Sequence, residues 1–249
     1  MMLSVIIPAH NEAGRITATL LDAAEFLRRQ NFGYEIIVVV NGSRDRTFEI
    51  VQNIQATGLK NLRVVNLAQG GKGNAVKHGV LQQAQGDILM FMDADNATPV
   101  SEIQKFLPYF QNAYEVVIGS RYLNPKLMRV PPPLYRRILS RLSNKLIQLA
   151  AVPGILDTQL GFKAFTRQAA RDIFPFLSVR RWAFDIELLT VALNRGHKIK
   201  EVPVVWNEPG GSHVSLKTYG ECLLDLAKIK YKSLSGQYRQ SNSKNHALP

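Results

Sequence analysis

The chain has one cysteine, Cys222, in 249 residues. No internal disulfide is possible, which excludes disulfide-stapled secreted scaffolds and fits a cytoplasmic compartment. A lone cysteine on the apolar face of an expected helix reads as packing, not as a nucleophile. Long hydrophobic runs are missing too: no stretch approaches the roughly 20 apolar residues of a membrane-spanning helix. The longest apolar helical candidate, residues 134–152, is studded with Arg and Lys. Met1-Met2-Leu3-Ser4 lacks a basic segment and runs directly into a strand pattern, so it does not read as a signal peptide. Acidic residues are scarce: 19 Asp and Glu against 31 Lys and Arg leave a net charge of +12. Between Glu115 and Asp157 there is no acidic residue at all. Such an excess favours polyanionic partners: nucleic acid, anionic lipid or phosphorylated substrates.

The composition, 46% hydrophobic and 20% charged, is that of an ordinary globular chain with ample core. No internal repeat occurs, and no low-complexity tract precedes the polar C-terminus. Apolar runs at residues 3–7, 35–40, 62–67, 87–92 and 115–119 read as strands. Amphipathic segments at 13–29, 46–55, 74–83 and 100–110 read as helices between them. Alternation with short connections predicts an α/β fold, a mostly parallel sheet with helices on both faces.

Beyond Gly119 the texture changes. Pro131-Pro132-Pro133 blocks a helix across it and permits one just afterwards. Leu134, Ile138, Leu142 and Leu146 recur at helical spacing, beside one stripe of Arg137, Arg141 and Lys145 and another of Arg136, Ser140 and Asn144. A helix of this kind suits a membrane surface or a phosphorylated ligand, with a plain solvated basic face as the competing reading. A second apolar and basic stretch runs through Tyr219, Leu223, Leu226, Ile229 and Tyr231 with Lys228, Lys230 and Lys232. From Ser233 the chain is rich in Ser, Asn and Gln and reads as a disordered tail over 233–249.

The chemistry gathers where the strands end. Pro8-Ala9-His10-Asn11-Glu12 follows the first strand, the loop Asn41 to Thr47 the second, Gly70-Gly71-Lys72-Gly73-Asn74 the third, and Asp93-Ala94-Asp95 the fourth. In an open α/β sheet these loops share one edge, where ligands bind. Glycine-rich loops and helix N-termini there suit phosphates, and two carboxylates one residue apart suit Mg2+ or Mn2+ bridging protein to phosphate. Taken alone, D-x-D is also a common solvated turn. The third loop is no Walker motif, because Lys72 is followed by Gly73.

In this order and spacing the motifs resemble the family 2 glycosyltransferases of GT-A fold. The resemblance runs from Leu3 to about Ser215 and also rests on Gly42-Ser43, Asp45, Thr47 and Gly119-Ser120-Arg121. Within the family, the chain is most similar to polyprenyl-phosphate hexose synthases: dolichyl-phosphate glucosyltransferases first, dolichyl-phosphate mannose synthases next. That likeness is carried by Asp157-Thr158-Gln159-Leu160-Gly161-Phe162-Lys163 and by Arg181-Trp182-Ala183-Phe184-Asp185-Ile186-Glu187-Leu188-Leu189. Glu201-Val202-Pro203-Val204, Trp206 and Gly211-Ser212 add to it.

The resemblance implies one GT-A domain over residues 1–232, with a nucleotide-sugar half at 1–120 and an acceptor and lipid-facing half at 121–232. It implies that Asp93 and Asp95 hold Mg2+ or Mn2+ and that Pro8, Ala9, Asn11, Glu12, Asn41, Asp45, Lys72 and Ala94 line the donor site. Arg121, Arg136, Arg137 and Ser140 would grip the phosphate of a lipid acceptor, as bidentate arginine can. Asp157 and Asp185 are candidates for orienting acceptor or sugar, with structural caps or ion pairs as the alternative.

The expected reaction is an inverting transfer of a hexose, preferably from UDP-glucose, to a polyprenyl phosphate by a peripheral membrane protein. The alternatives are a GDP-mannose-dependent mannose synthase or a glycosyltransferase with another acceptor, and the sequence leaves a membrane-embedded partner open. An acceptor phosphate is already largely ionised at neutral pH, so a strong general base is optional. Two departures stand out: Val40-Asn41 replaces the acidic pair usual before Gly-Ser, and His213 replaces a basic residue after the late Gly-Ser, with Lys217 nearby. An inactive nucleotide-sugar-binding homologue and a basic nucleic-acid-binding protein are the competing readings. The Asp93 and Asp95 pair opposes the first, and the concentration of charge around one helix opposes the second.

Overall fold

The alternating pattern is realised in a computed structural model, which describes residues 1–130, 134–181, 183–208 and 216–239. The side chains of residues 129, 130, 134–140 and 216–219 lie outside that description. Strand β1 (Met2–Ala9) leads to helix α1 (Ile16–Arg28), β2 (Gly33–Asn41) to α2 (Thr47–Ala56), and β3 (Leu62–Leu67) to α3 (Lys72–His78) before β4 (Ile88–Met92). These strands are parallel and lie in the order β3-β2-β1-β4. β1 is central and buried from Leu3 to Ala9, as an apolar run covered on both faces should be. Pro8 lacks a ladder donor but lies past Ile6, the last β1 residue paired with β4. Helix α1 turns Ile16, Leu20, Ala23 and Leu27 onto the sheet, its apolar stripe at helical spacing.

The second half supplies α4 (Leu107–Gln111), β5 (Val116–Ser120), β6 (Met128–Val130), α5 (Leu134–Ala150), β7 (Phe162–Thr166), α6 (Arg167–Ile173) and α7 (Phe184–Asn194). Then come β8 (Ile199–Pro203), β9 (Trp206–Asn207) and α8 (Leu216–Leu234). The full sheet has seven strands in the order β3-β2-β1-β4-β7-β5-β8. β7 is antiparallel to both neighbours, so a strand from beyond residue 121 sits between two from before it. The two expected halves therefore share one sheet.

Three local expectations are corrected. The helix expected over 100–110 is a 3-10 stretch at Val100–Lys105 followed by α4, because Pro108 cannot donate within a continuous α-helix. The helix expected over 74–83 starts at Lys72 and widens into a π-turn at Gly79–Gln83. The tail expected from residue 233 is ordered through 239, with Tyr238 buried; residues 240–249 lie outside the description.

Candidate active site

The first two loops are clasped together by side chains that cap each other's backbone. Asn11, at φ 57°, donates its N–H to Ser43 Oγ at 3.0 Å, and its Oδ1 accepts from Arg44 N–H at 2.8 Å. Glu12 N–H donates to Thr47 Oγ1 at 2.8 Å, and Ala13 N–H donates to Asp45 Oδ2 at 3.0 Å. Desolvation works against the Asp45 carboxylate, but bonds from Thr47 and Ala13 hold its pKa below the ordinary value. The Glu12 carboxylate is paired with Arg15. Asn41 is buried and turned inward: Nδ2 donates to the Ala9 carbonyl at 2.9 Å, while Oδ1 accepts from Gly71 N–H at 2.9 Å. The Asn41 amide, expected to line the donor site, braces the three loops around it.

The third loop depends on a glycine conformation. Gly71 has φ 130°, and a Cβ there would lie 2.5 Å from the Arg180 carbonyl oxygen. The close approach lets Gly73 N–H donate to the Arg180 carbonyl at 2.9 Å and starts α3 at Lys72. Lys72 Nζ then reaches Asp93 Oδ1 at 2.5 Å. Burial opposes its charge, yet Asp93, Asp185 and Asp95 outweigh burial and raise the pKa of the ammonium.

Asp93 and Asp95 sit just past β4. Asp93 N–H donates to the Gly161 carbonyl at 3.1 Å, and a Cβ on Gly161 would overlap the Asp93 carboxylate, with Oδ2 only 2.2 Å away. Thr19 Oγ1 of α1 donates to the Ala94 carbonyl at 2.7 Å, fixing the residue between the two carboxylates. Asp95 Oδ1 accepts from Ala97 N–H at 3.0 Å. Burial and the neighbouring Asp93 charge raise the pKa of Asp95, against Ala97, Arg15 and Lys72. Two neighbouring carboxylates, one of them drawing a lysine, are a donor set that fits a divalent cation. Among the described residues there is no cluster of three or more His, Cys, Asp or Glu side chains suited to a metal.

The remaining expected residues are distributed differently. Arg121 follows β5 and is committed to Asp157: its Nε and Nη2 donate to Oδ2 and Oδ1 at 2.7 and 2.8 Å, and its N–H to Oδ2 at 2.9 Å. The guanidinium also lies 5.3 Å from the Trp206 ring centroid. Glu201 of β8 fixes Asp157 by accepting its N–H at 2.7 Å. Asp185, in the first turn of α7, accepts from Lys163 Nζ at 2.6 Å, and Lys163 also donates to the Leu160 carbonyl at 2.6 Å. Lys163 is wholly buried within β7, paired as such a charge must be. The side chains of Arg136, Arg137, Ser140 and Lys217, and all of Trp182, Gly211, Ser212 and His213, lie outside the described residues.

A glycosyl transferase family 2 model matches residues 4–174. The chain belongs to that family. The matched family segment holds the clasped loops, the Asp93 and Asp95 pair and the Arg121 to Asp157 bridge. Among curated proteins, it is 39% identical over 236 residues to dolichyl-phosphate beta-glucosyltransferase ALG5C of Trichomonas vaginalis, covering 90% of this chain and 69% of that protein. It is 40% identical over 251 residues to dolichyl-phosphate beta-glucosyltransferase of Drosophila melanogaster and 34% over 251 to that of Homo sapiens, each covering 95% of this chain and 77% of the relative. Among solved structures, it resembles glucosyl-3-phosphoglycerate synthase from Mycobacterium tuberculosis in complex with UDP, at TM-score 0.66 and 19% identity, covering 97% of this chain and 82% of that one. The same enzyme in complex with Mn2+, UDP and phosphoglyceric acid gives TM-score 0.63 at 20% identity, covering 97% and 80%. These two likenesses establish the GT-A fold.

Several site residues carry no signal in sequence spacing. Arg15, Thr19 and Arg180 reach the site from α1 and from a distant loop. Gly161 and Lys163 were visible as motif residues, but their roles depend on β7 lying beside β4.

Proposed function

We propose that this chain is an inverting hexosyltransferase that moves glucose from UDP-glucose to a dolichyl-type polyprenyl phosphate at a membrane surface. The relatives' names support the acceptor and the sugar. One observation carries the donor site: Asp93 and Asp95 face Lys72 at the sheet edge where the clasped loops converge. The Asp93 and Asp95 carboxylates would hold Mg2+ or Mn2+, which when bound neutralises the diphosphate of the departing nucleotide. Lys72 adds a fixed positive charge beside them.

Base catalysis is not required of this site. The acceptor phosphate is already ionised. Burial would push Asp157 up, but Arg121 outweighs it and keeps the carboxyl below its ordinary value, making Asp157 a poor proton acceptor. Asp185 is occupied by Lys163. Both carboxylates therefore act through their partners, as positioning residues, and the rate comes from orientation and leaving-group stabilisation. Arg121, which lies over the Trp206 ring, would form the acceptor-phosphate group together with Arg136, Arg137 and Ser140.

Membrane docking is assigned to two helices. α5 exposes Leu142, Leu146 and Leu149 with Arg141 and Lys145 alongside, and α8 exposes Leu223, Leu224, Tyr231 and Leu234 among lysines. Among the described residues no helix is long and apolar enough to cross a membrane.

The deciding experiment compares UDP-glucose with GDP-mannose, with a short polyprenyl phosphate and Mg2+ or Mn2+, in wild type and Asp95→Asn. Wild type should transfer glucose from UDP-glucose, and Asp95→Asn should lose about 3 kcal/mol of transition-state stabilisation while its circular dichroism is unchanged. Preferential transfer from GDP-mannose would move the assignment to a mannose synthase. Metal-dependent turnover at the wild-type rate by Asp95→Asn would overturn the site.

A further inference from the structure

Glu187 is a wholly buried carboxylate in α7, two residues beyond Asp185, and has no part in the reaction proposed above. Its Oε2 accepts from the backbone N–H groups of Ser178 and Val179, both at 2.7 Å. Its Oε1 accepts from Ser178 Oγ at 2.7 Å and from the Tyr238 hydroxyl at 2.9 Å. Lys232 of α8 joins the group, donating to Ser178 Oγ at 2.6 Å and lying 3.9 Å from Glu187 Oε1. A buried carboxylate with this many donors is a fixed anchor. Burial and the Glu187 charge also push the Tyr238 phenol well up, so it stays protonated and donating.

The anchored segment is the seat of the glycine-rich loop. Residues 178–180 run from the Glu187 anchor to the Arg180 carbonyl, which accepts from Gly73 N–H at 2.9 Å. Contact is tight on this side: a Cβ on Gly73 would lie 2.6 Å from the Val179 carbonyl oxygen. Beside the segment is a cavity of about 630 Å3, lined in part by Ser178, Val179, Ile229 and Lys232. Close packing is therefore missing on that side, and hydrogen bonds must set where the segment stands.

We propose that Glu187 and Tyr238 are positioning residues for the nucleotide-sugar: they fix residues 178–180 and thereby the Gly71-Lys72-Gly73 loop. A residue beyond α8 thus helps to set the height of Lys72 over the donor diphosphate. The donor half of this inference rests on the reading of that loop under Proposed function; the mechanical half does not.

The test uses the full chain with Tyr238→Phe, which removes only the hydroxyl, and Glu187→Gln, which removes the charge. In Tyr238→Phe the amides of Gly73, Asn74, Ser178 and Val179 should exchange hydrogen faster in the ligand-free protein, while those of Glu12 and Gly42 stay as in wild type. The KM for UDP-glucose should rise about 3- to 10-fold with kcat within about two-fold of wild type, the scale of one lost hydrogen bond. Glu187→Gln should show the larger effect of the same kind; if it does not fold, Tyr238→Phe decides alone. Unchanged exchange at Gly73 and an unchanged KM, even with a lowered melting temperature, would overturn the proposal. Wild type that binds no UDP-glucose in calorimetry with Mn2+ would overturn the donor reading instead, and exchange at Gly73 would still decide the coupling.

Discussion

Lys72 Nζ rests 2.5 Å from Asp93 Oδ1, so the cation of the glycine-rich loop occupies the first carboxylate of the D-x-D pair. On the reading proposed above, lysine and a divalent metal would compete for the same oxygens. Lys72→Met should bind Mn2+ alone more tightly than wild type, since no ammonium has to be displaced. The same variant should bind UDP-glucose with Mn2+ about ten-fold more weakly, having lost a charge-assisted contact to phosphate. Electron paramagnetic resonance titration of Mn2+ and calorimetry of the donor read the two effects separately. Unchanged Mn2+ affinity would refute the competition.

The Arg121 to Asp157 bridge predicts both a stability loss and a pH dependence. Asp157→Asn leaves the Arg121 guanidinium part-buried without its carboxylate and should cost about 3 kcal/mol in urea denaturation. Arg121 holds folded Asp157 below its ordinary value of 3.8, so the bridge contributes fully above that value and is lost as pH falls through the depressed one. Wild type should therefore lose stability on acidification from about pH 5 to pH 2 more steeply than Asp157→Asn. Parallel curves for the two proteins would contradict the assignment.

Asn41 should not tolerate an acid in its place. Its Nδ2 donates to the Ala9 carbonyl, and an aspartate would set a carboxylate oxygen against that carbonyl. Asn41→Asp should cost about 2 kcal/mol of stability and loosen the Gly71 loop. Thermal melting with and without UDP-glucose checks this; an Asn41→Asp protein as stable as wild type sinks it.

Membrane association should depend on leucines and on salt together. Leu142→Glu with Leu149→Glu should abolish co-sedimentation with anionic liposomes at low salt. Raising salt should weaken wild-type binding, because each Lys or Arg near the surface contributes about 1 kcal/mol and is screened. Binding that survives both changes would place the docking surface elsewhere. Tight binding to nucleic acid would instead favour the competing reading of the basic charge.

Sequence alone determined the parallel half of the sheet and the loops at its edge. Apolar runs such as Ile36 to Val40 and the stripe of Ile16, Leu20, Ala23 and Leu27 are local patterns, readable wherever burial follows the period of the element. Asp93, Asp95, Lys72 and the glycines stood out as a group because successive strand ends carry polar or glycine-rich loops to one edge, although D-x-D alone is also a common turn. Tertiary structure alone decided β7. Lysine within Phe-Lys-Ala-Phe-Thr argues against a buried strand until Asp185, 22 residues away, supplies its partner. Tyr238 is the same case: its polar neighbourhood reads as tail, and only the buried Glu187 51 residues away explains why it is inside. Asn41, Arg121 and Asp157 were seen as site residues, but their hydrogen bonds turn inward to Ala9, Gly71 and one another. A residue's type limits which bonds it can make; which partner it meets depends on contacts between segments far apart in the chain, and local pattern does not encode them.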